Sequence, residues 1–291
     1  MKILITGAKG MLGSKIASTL SPVHDVISTD LQPNQPDTHL DITSPDQARA
    51  CLKRHKPDLI IHCAAFTAVD QCESQPEVAN AINAAGTHNL VLAAEEVNSA
   101  FFYISTDYVF DGTKSSPYLE SDPTNPLSIY GSSKLKGEES VRAHSTRWTI
   151  ARTQWLYGEG GNNFVETMIR LSAERDQIRV VNDQWGAPTY TGDLALQIKV
   201  LIEEHKHGLY HISNQGSTSW FTFAKTLLDY PGLPSVQVLP CTTEEFPRPA
   251  PRPQFSTLLN DKLGREGLDK MRDWRVALND YLTARLHQAN Q

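Results

Sequence analysis

The opening of the chain constrains its fold more than any other stretch. An apolar run, Lys2-Ile3-Leu4-Ile5-Thr6, breaks into Gly7-Ala8-Lys9-Gly10-Met11-Leu12-Gly13 and resumes as a helical pattern over 12–20. Glycines at GxxGxxG spacing between a strand and a helix let the backbone turn tightly and approach a diphosphate. The helix N-terminus then offers it unpaired N–H groups and the positive end of a dipole. A glycine motif alone says little; one with a strand before it and a helix after it predicts a dinucleotide-binding βαβ unit.

The rest of the first half repeats that alternation. Short β-branched or apolar runs at 2–6, 25–29, 59–63, 101–105 and 148–151 are separated by helical patterns at 12–20, 46–53, 78–97 and 132–143. Parallel strands need helical crossovers, so this order predicts an α/β fold, a Rossmann-type doubly wound parallel sheet with helices on both faces. Past Trp155 the rhythm fades into the Gly/Asn loop 158–163. A helix over 164–174, a strand at 178–181 and a helix over 193–204 follow. We therefore expect two interleaved lobes: a dinucleotide-binding domain over 1–155 and about 177–207, and a smaller α/β substrate-binding lobe over about 156–176 and 208–291. The run Phe-Pro-Arg-Pro-Ala-Pro-Arg-Pro at 246–253 is too rich in proline for a helix or sheet interior and should be extended, either as a surface connector or facing a ligand.

Composition removes several classes of function. The 291 residues, 40% hydrophobic and 21% charged, suit a packed globular body, and no apolar run approaches the ~20 residues that cross a bilayer. The start reads as a first strand and not as a signal peptide, which predicts a cytoplasmic protein. Cys51, Cys63, Cys72 and Cys241 lack metal-ligand spacing and are too few for a disulfide scaffold, so reduced thiols and no metal site are expected. A net charge of −6 with scattered Lys and Arg makes a nucleic-acid surface unexpected.

Two ends of a site can be read. At the cofactor end, Gly7, Gly10, Met11, Leu12 and Gly13 form the loop, and Asp30 closes the second strand where a carboxylate can accept hydrogen bonds from a ribose diol, favouring NADH. Lys9 could instead meet a 2′-phosphate, so NADPH and NADH are both expected to serve. Asp41 and Ile42, at the end of a short third strand, could border the adenine. Ala64, Ala65, Phe66 and Thr67 follow the next strand with small residues that permit close approach. At the chemistry end, the strand 101–105 runs into Thr106 and Asp107 at the carboxyl edge, where open α/β sheets bind ligands. Tyr130 and Lys134 stand four residues apart on a helix. A cation near a phenol brings it toward working range, so Thr106 would polarise a carbonyl, Tyr130 would donate the proton, and Lys134 would tune Tyr130 and hold the nicotinamide ribose.

With these motifs the chain resembles the extended short-chain dehydrogenase/reductases, and within them the dTDP-4-dehydrorhamnose reductases. The likeness spans nearly the whole chain, through Ala64 to Asp70, Ser105 to Phe110, Tyr130 to Lys134, Arg152-Thr153-Gln154-Trp155, 182–189, and Arg252-Pro253 with Ser256. It implies NAD(P)H-dependent reduction of the 4-keto group of dTDP-4-dehydro-β-L-rhamnose, the last step of dTDP-rhamnose biosynthesis. Thr106, Tyr130 and Lys134 would be catalytic, and Val69, Asp107 and Trp155 would lie at the sugar. Arg152 and Arg252 are both candidates for the diphosphate. Related dehydratases carry an Asp-Glu pair after the threonine; here Tyr108 follows Asp107, which disfavours elimination of water. Some members are dimers bridged by magnesium through acidic residues, but this chain has Ser14-Lys15 at one such place, so a homodimer is compatible and a metal bridge is not expected. Two alternatives stay open: a reductase or epimerase of another nucleotide-linked 4-keto-6-deoxyhexose, and a non-catalytic NADP-binding subunit resembling the regulatory partner of methionine adenosyltransferase.

Overall fold

The computed structural model describes residues 1–32 and 38–289. The first half runs β1 (Lys2–Thr6), α1 (Met11–Leu20), β2 (Asp25–Thr29), α2 (Pro45–His55), β3 (Leu59–His62), α3 (Val69–Ser74) and α4 (Pro76–Asn80). A π-helical turn (Ala81–Gly86) leads into α5 (Thr87–Glu96), then β4 (Ala100–Thr106), α6 (Ile129–His144) and β5 (Trp148–Thr153). The second half holds β6 (Leu156–Tyr157), α7 (Phe164–Glu174), β7 (Gln177–Val181), β8 (Trp185–Gly186), β9 (Thr189–Tyr190), α8 (Thr191–Glu203) and β10 (Gly208–His211). It ends with β11 (Thr218–Ser219), α9 (Trp220–Leu228), β12 (Gln237–Cys241), α10 (Asp261–Arg265) and α11 (Trp274–Ala289).

Six strands form one parallel sheet in the order β10-β5-β4-β3-β1-β2. Its strands are apolar at both parities because both faces are covered. Ile3, Ile5, Ile61, Phe102 and Ile104 pack toward Leu12 and Ile16 of α1 and Leu194 and Ile198 of α8. Leu4, Ile60, Phe101, Tyr103 and Ile150 pack toward Leu52 of α2, Leu90 and Val91 of α5 and Val141 of α6. The strand order reverses between β1 and β3, so the loops leaving these strands diverge to opposite faces and open a crevice at their carboxyl ends.

Three expectations need correction. The third strand before Asp41 is a single bridge between Asp30 and His39. Asp41 Oδ1 there accepts from Thr43 N at 2.9 Å and Thr43 Oγ1 at 2.7 Å, a local turn that competes with strand pairing. The helix expected over 78–97 is divided: α4 begins on Pro76, and the π-helical turn precedes α5. The lobe boundaries at 177 and 208 also shift. β7 pairs with β12 in a separate two-stranded parallel sheet of the smaller lobe, whereas β10 extends the main sheet beside β5. Burial explains the exchange, since Ile178 and Val180 pack with Phe223, Trp274 and Leu278, while Tyr210 packs with the α1/α8 face of the main sheet. No helix among the described residues is long and apolar enough to cross a membrane.

Candidate active site

The crevice is a cleft of about 920 Å³ that runs from the glycine loop to Trp155. Its floor is the carboxyl edge of β1, β3, β4 and β5. Of the residues expected at a site, Gly7, Gly10, Met11, Leu12, Gly13, Asp30, Asp41 and Ile42 line the loop end. Ala64, Ala65, Thr67 and Val69 line the middle, and Thr106, Asp107, Tyr130, Lys134 and Trp155 line the far end. Phe66 is displaced. It packs against the cluster of Cys72, Ala79 and Tyr130 beneath the loop, because Asn83 grips its backbone through Phe66 N to Oδ1 at 2.8 Å and Nδ2 to Phe66 O at 3.0 Å.

The loop end is shaped for a diphosphate. Gly10 caps α1 with extended backbone and no side-chain hydrogen bond, so the first helical N–H groups are free of a capping side chain. A Cβ on Gly13 would lie 2.2 Å from Gly7 O, which only glycine tolerates and which lets α1 start directly against the loop. Asp30 closes β2 at the rim of the cleft. One of its carboxylate oxygens accepts from Lys9 N at 3.0 Å, within the loop itself. The backbone amides and the acidic rim fit a dinucleotide.

At the far end Thr106 and Asp107, where β4 ends, meet Tyr130 and Lys134 of α6. Thr106 ends β4, and its hydroxyl donates to Asp107 Oδ1 at 3.0 Å and accepts from Tyr108 N at 3.2 Å. Asp107 is buried; that burial pushes its carboxyl up to about 6 against the opposing influence of the nearby Ser256 and Thr106 hydroxyls, and its Oδ2 has no hydrogen-bond partner among the described residues. Tyr130 lies in the first turn of α6, which Ser128 caps by accepting from Gly131 N at 3.1 Å. Its ring meets that of Tyr108 edge-on at 5.5 Å. Burial raises the phenol well above its ordinary value, and the nearby Thr106 hydroxyl opposes that shift. At neutral pH Tyr130 therefore holds its proton.

Lys134 is not placed as the spacing suggested. Its Nζ donates to the Ile104 carbonyl at 2.7 Å and sits 4.1 Å from the centre of the Tyr103 ring. Burial lowers it to about 7, opposed by Glu138. The cation is anchored to β4 on the floor of the cleft, and the influences on the phenol are burial and Thr106 first.

Trp155 has φ 47°, an uncommon conformation for a bulky residue, and one face of its indole stacks on Trp220 at 3.5 Å with an interplanar angle of 10°. The stack holds the ring at the end of the cleft. Arg152 does not reach the cleft; it is buried and bound bidentately to Glu138 at 2.8 Å for each bond. Arg252 pairs with Asp70 at 2.9 Å, and Arg248 pairs with the same carboxylate, so the proline-rich segment is tied across the front of the larger lobe.

Several residues in or behind the cleft have no site role that the sequence alone assigns. Thr153 and Gln154 are buried, line the cleft, and leave Thr153 Oγ1 and Gln154 Nε2 without partners among the described residues. Asn83 ties the loop at Phe66 to Ser133 Oγ at 3.0 Å, and its only sequence signal is a polar side chain in an apolar helical run. Glu138 carried a readable one: it stands four residues beyond Lys134, on the same helical face.

The family model of the RmlD substrate binding domain matches residues 1–286. The spore coat polysaccharide biosynthesis protein SpsK of Bacillus subtilis is 40% identical over 285 residues, 98% of each chain. A crystal structure of a dTDP-4-dehydrorhamnose reductase from Clostridium acetobutylicum superposes with a TM-score of 0.93 at 46% identity, covering 98% of this chain and 99% of that one. The Bacillus anthracis dTDP-4-dehydrorhamnose reductase in complex with NADP superposes with a TM-score of 0.92 at 42% identity, covering 97% and 99%.

Proposed function

The chain belongs to the RmlD substrate binding domain family, and from that premise we propose that it is an NAD(P)H-dependent oxidoreductase that reduces the 4-keto group of dTDP-4-dehydrorhamnose to give dTDP-L-rhamnose. The observation that carries this reading is the convergence of Thr106, Tyr130 and Lys134 at one end of a cleft whose other end is a glycine loop opening a helix. Relatives of this length and identity are named for that reaction.

The amides at the start of α1 would hold the dinucleotide diphosphate, and Asp30 or Lys9 would meet the adenosine ribose. The bound dinucleotide supplies the hydride. Everything else falls to this chain's side chains. Thr106 would polarise the substrate oxygen by turning its single hydroxyl proton, held on Asp107 Oδ1 in the free protein, toward that oxygen. Tyr130, neutral because burial disfavours its phenolate, donates the proton to that oxygen. Lys134 lies on the cleft floor as a donor for the nicotinamide ribose. Trp155, held by Trp220, gives an apolar plane to the deoxy side of the hexose. Asp107 has an acceptor oxygen to spare for a sugar hydroxyl.

The test is oxidation of NADPH or NADH by purified protein given freshly made dTDP-4-dehydrorhamnose, beside UDP- and GDP-linked 4-keto sugars. Turnover of the dTDP sugar above the others supports the assignment. Preference for another nucleotide would move it to a related reductase, and no turnover with any of them would leave a dinucleotide-binding protein.

A further inference from the structure

Glu138 is buried without exposure and accepts hydrogen bonds from three different elements. Ser105 Oγ of β4 donates to its Oε1 at 2.6 Å. Arg152 of β5 donates from Nε to Oε1 and from Nη2 to Oε2, both at 2.8 Å. Arg142, one turn further along α6, donates to Oε2 at 2.7 Å. Each of these segments leads directly into the site. Ser105 precedes Thr106; Arg152 precedes Thr153, Gln154 and Trp155; and Glu138 follows Lys134 by one turn.

The attachment to β4 is made at two neighbouring points. Lys134 Nζ binds the carbonyl of Ile104, and Glu138 binds the hydroxyl of the next residue, Ser105. Gly137 lies between the two on α6; a Cβ there would stand 2.3 Å from the Tyr103 hydroxyl oxygen, so a side chain would push the helix off the strand. One carboxylate thus fixes the height of α6, which carries Tyr130, against the ends of the two strands that carry Thr106 and Trp155.

We propose that Glu138 is a positioning residue: through Ser105 and Arg152 it sets the register of the proton donor, the carbonyl-polarising hydroxyl and the sugar-facing segment. It touches neither substrate nor cofactor. The charge serves geometry, since a neutral side chain accepts fewer and weaker hydrogen bonds than a carboxylate facing two guanidinium groups. A misplacement of about 1 Å in such a centre costs on the order of 10²-fold in rate.

The kinetic arm of the test rests on the reductase reading; a crystallographic arm does not. Glu138→Gln leaves Arg152 buried against a neutral group and can fail to fold, so it is paired with the charge-balanced variant Glu138→Leu/Arg152→Met, in which an apolar pair replaces the ion pair. Expected for the folded double variant are a melting temperature near that of the native enzyme and, at saturating NADPH, a kcat lower by about 30-fold or more. Its crystal structure should show Lys134 Nζ drawn away from Ile104 O or Thr106 moved relative to Tyr130. A folded double variant with kcat within about twofold of native would overturn the proposal, because register would then not depend on the carboxylate. If the native protein reduces none of the sugars, the reductase reading fails and the crystal structure decides: unmoved Lys134, Thr106 and Tyr130 overturn the positioning role, and displacement supports it.

Discussion

Lys134 Nζ and the Ile104 carbonyl oxygen lie 2.7 Å apart, a bond from helix to strand that fixes the cation on the floor of the cleft. The same burial that makes this bond strong lowers the ammonium to about 7, with Glu138 and Cys63 pulling the other way. An anionic dinucleotide beside it favours the charged form. The sign is set by that preference: Lys134 is a cation below about 7, and above it binding must include uptake of a proton. We expect the NADPH dissociation constant to rise with pH above about 7, by up to ~10-fold per unit, and Lys134→Met to flatten the dependence. Titrations by fluorescence between pH 6 and 9 would show it; a constant affinity in the native protein would remove Lys134 from the dinucleotide.

Tyr130→Phe deletes the donated proton while keeping the ring against Tyr108. Dinucleotide binding should be nearly intact and kcat lower by about 10²-fold or more, as for loss of a general acid. Single-turnover measurements separate this from slow product release. Undiminished turnover would assign the proton to another group.

Gly13→Ala places a methyl group where Gly7 O stands, at 2.2 Å from the ideal Cβ. The loop or α1 has to move. We expect a loss of about 1–3 kcal/mol in stability, the usual range for overpacking, and a larger proportional loss in dinucleotide affinity. Thermal melts with and without NADPH would reveal both, since the ligand-induced rise in Tm should shrink.

Trp220→Ala removes the plane on which Trp155 rests, and Trp155 holds its uncommon backbone conformation with that support. The substitution should raise KM for the sugar nucleotide by roughly 10-fold, in keeping with loss of an aromatic pair worth ~0.5–1.5 kcal/mol and of ring order. The NADPH dissociation constant should not change. Near-ultraviolet circular dichroism, which reports the stacked indoles, should weaken in parallel. An equal effect on both ligands would mean a general loss of fold and not of the platform.

How much was legible divides by the range of the interactions involved. The strand-loop-helix opening, the alternation of strands and helices, and the positions of Thr106, Tyr130 and Lys134 follow from local periodicity and glycine spacing, which sequence carries directly. The short third strand was misread because a two-residue pattern cannot weigh strand pairing against the side-chain turn at Asp41. Lobe membership of 177–181 and 208–211 was misread because partners of short strands are chosen across about 60 residues, as in Gln177 with Gln237 and Gly208 with Thr149.

The sequence by itself determined that a dinucleotide loop, a Tyr/Lys helix and a polar strand end would exist. Only the tertiary structure decided what each charged group faces. Arg152 and Lys134 both looked available to a ligand, yet one is buried on Glu138 and the other is bonded to a strand carbonyl. A charge is expensive to bury unless partnered, so its role is set by the groups that satisfy it. Here those groups come from elements far apart in the chain, whose meeting no local pattern records.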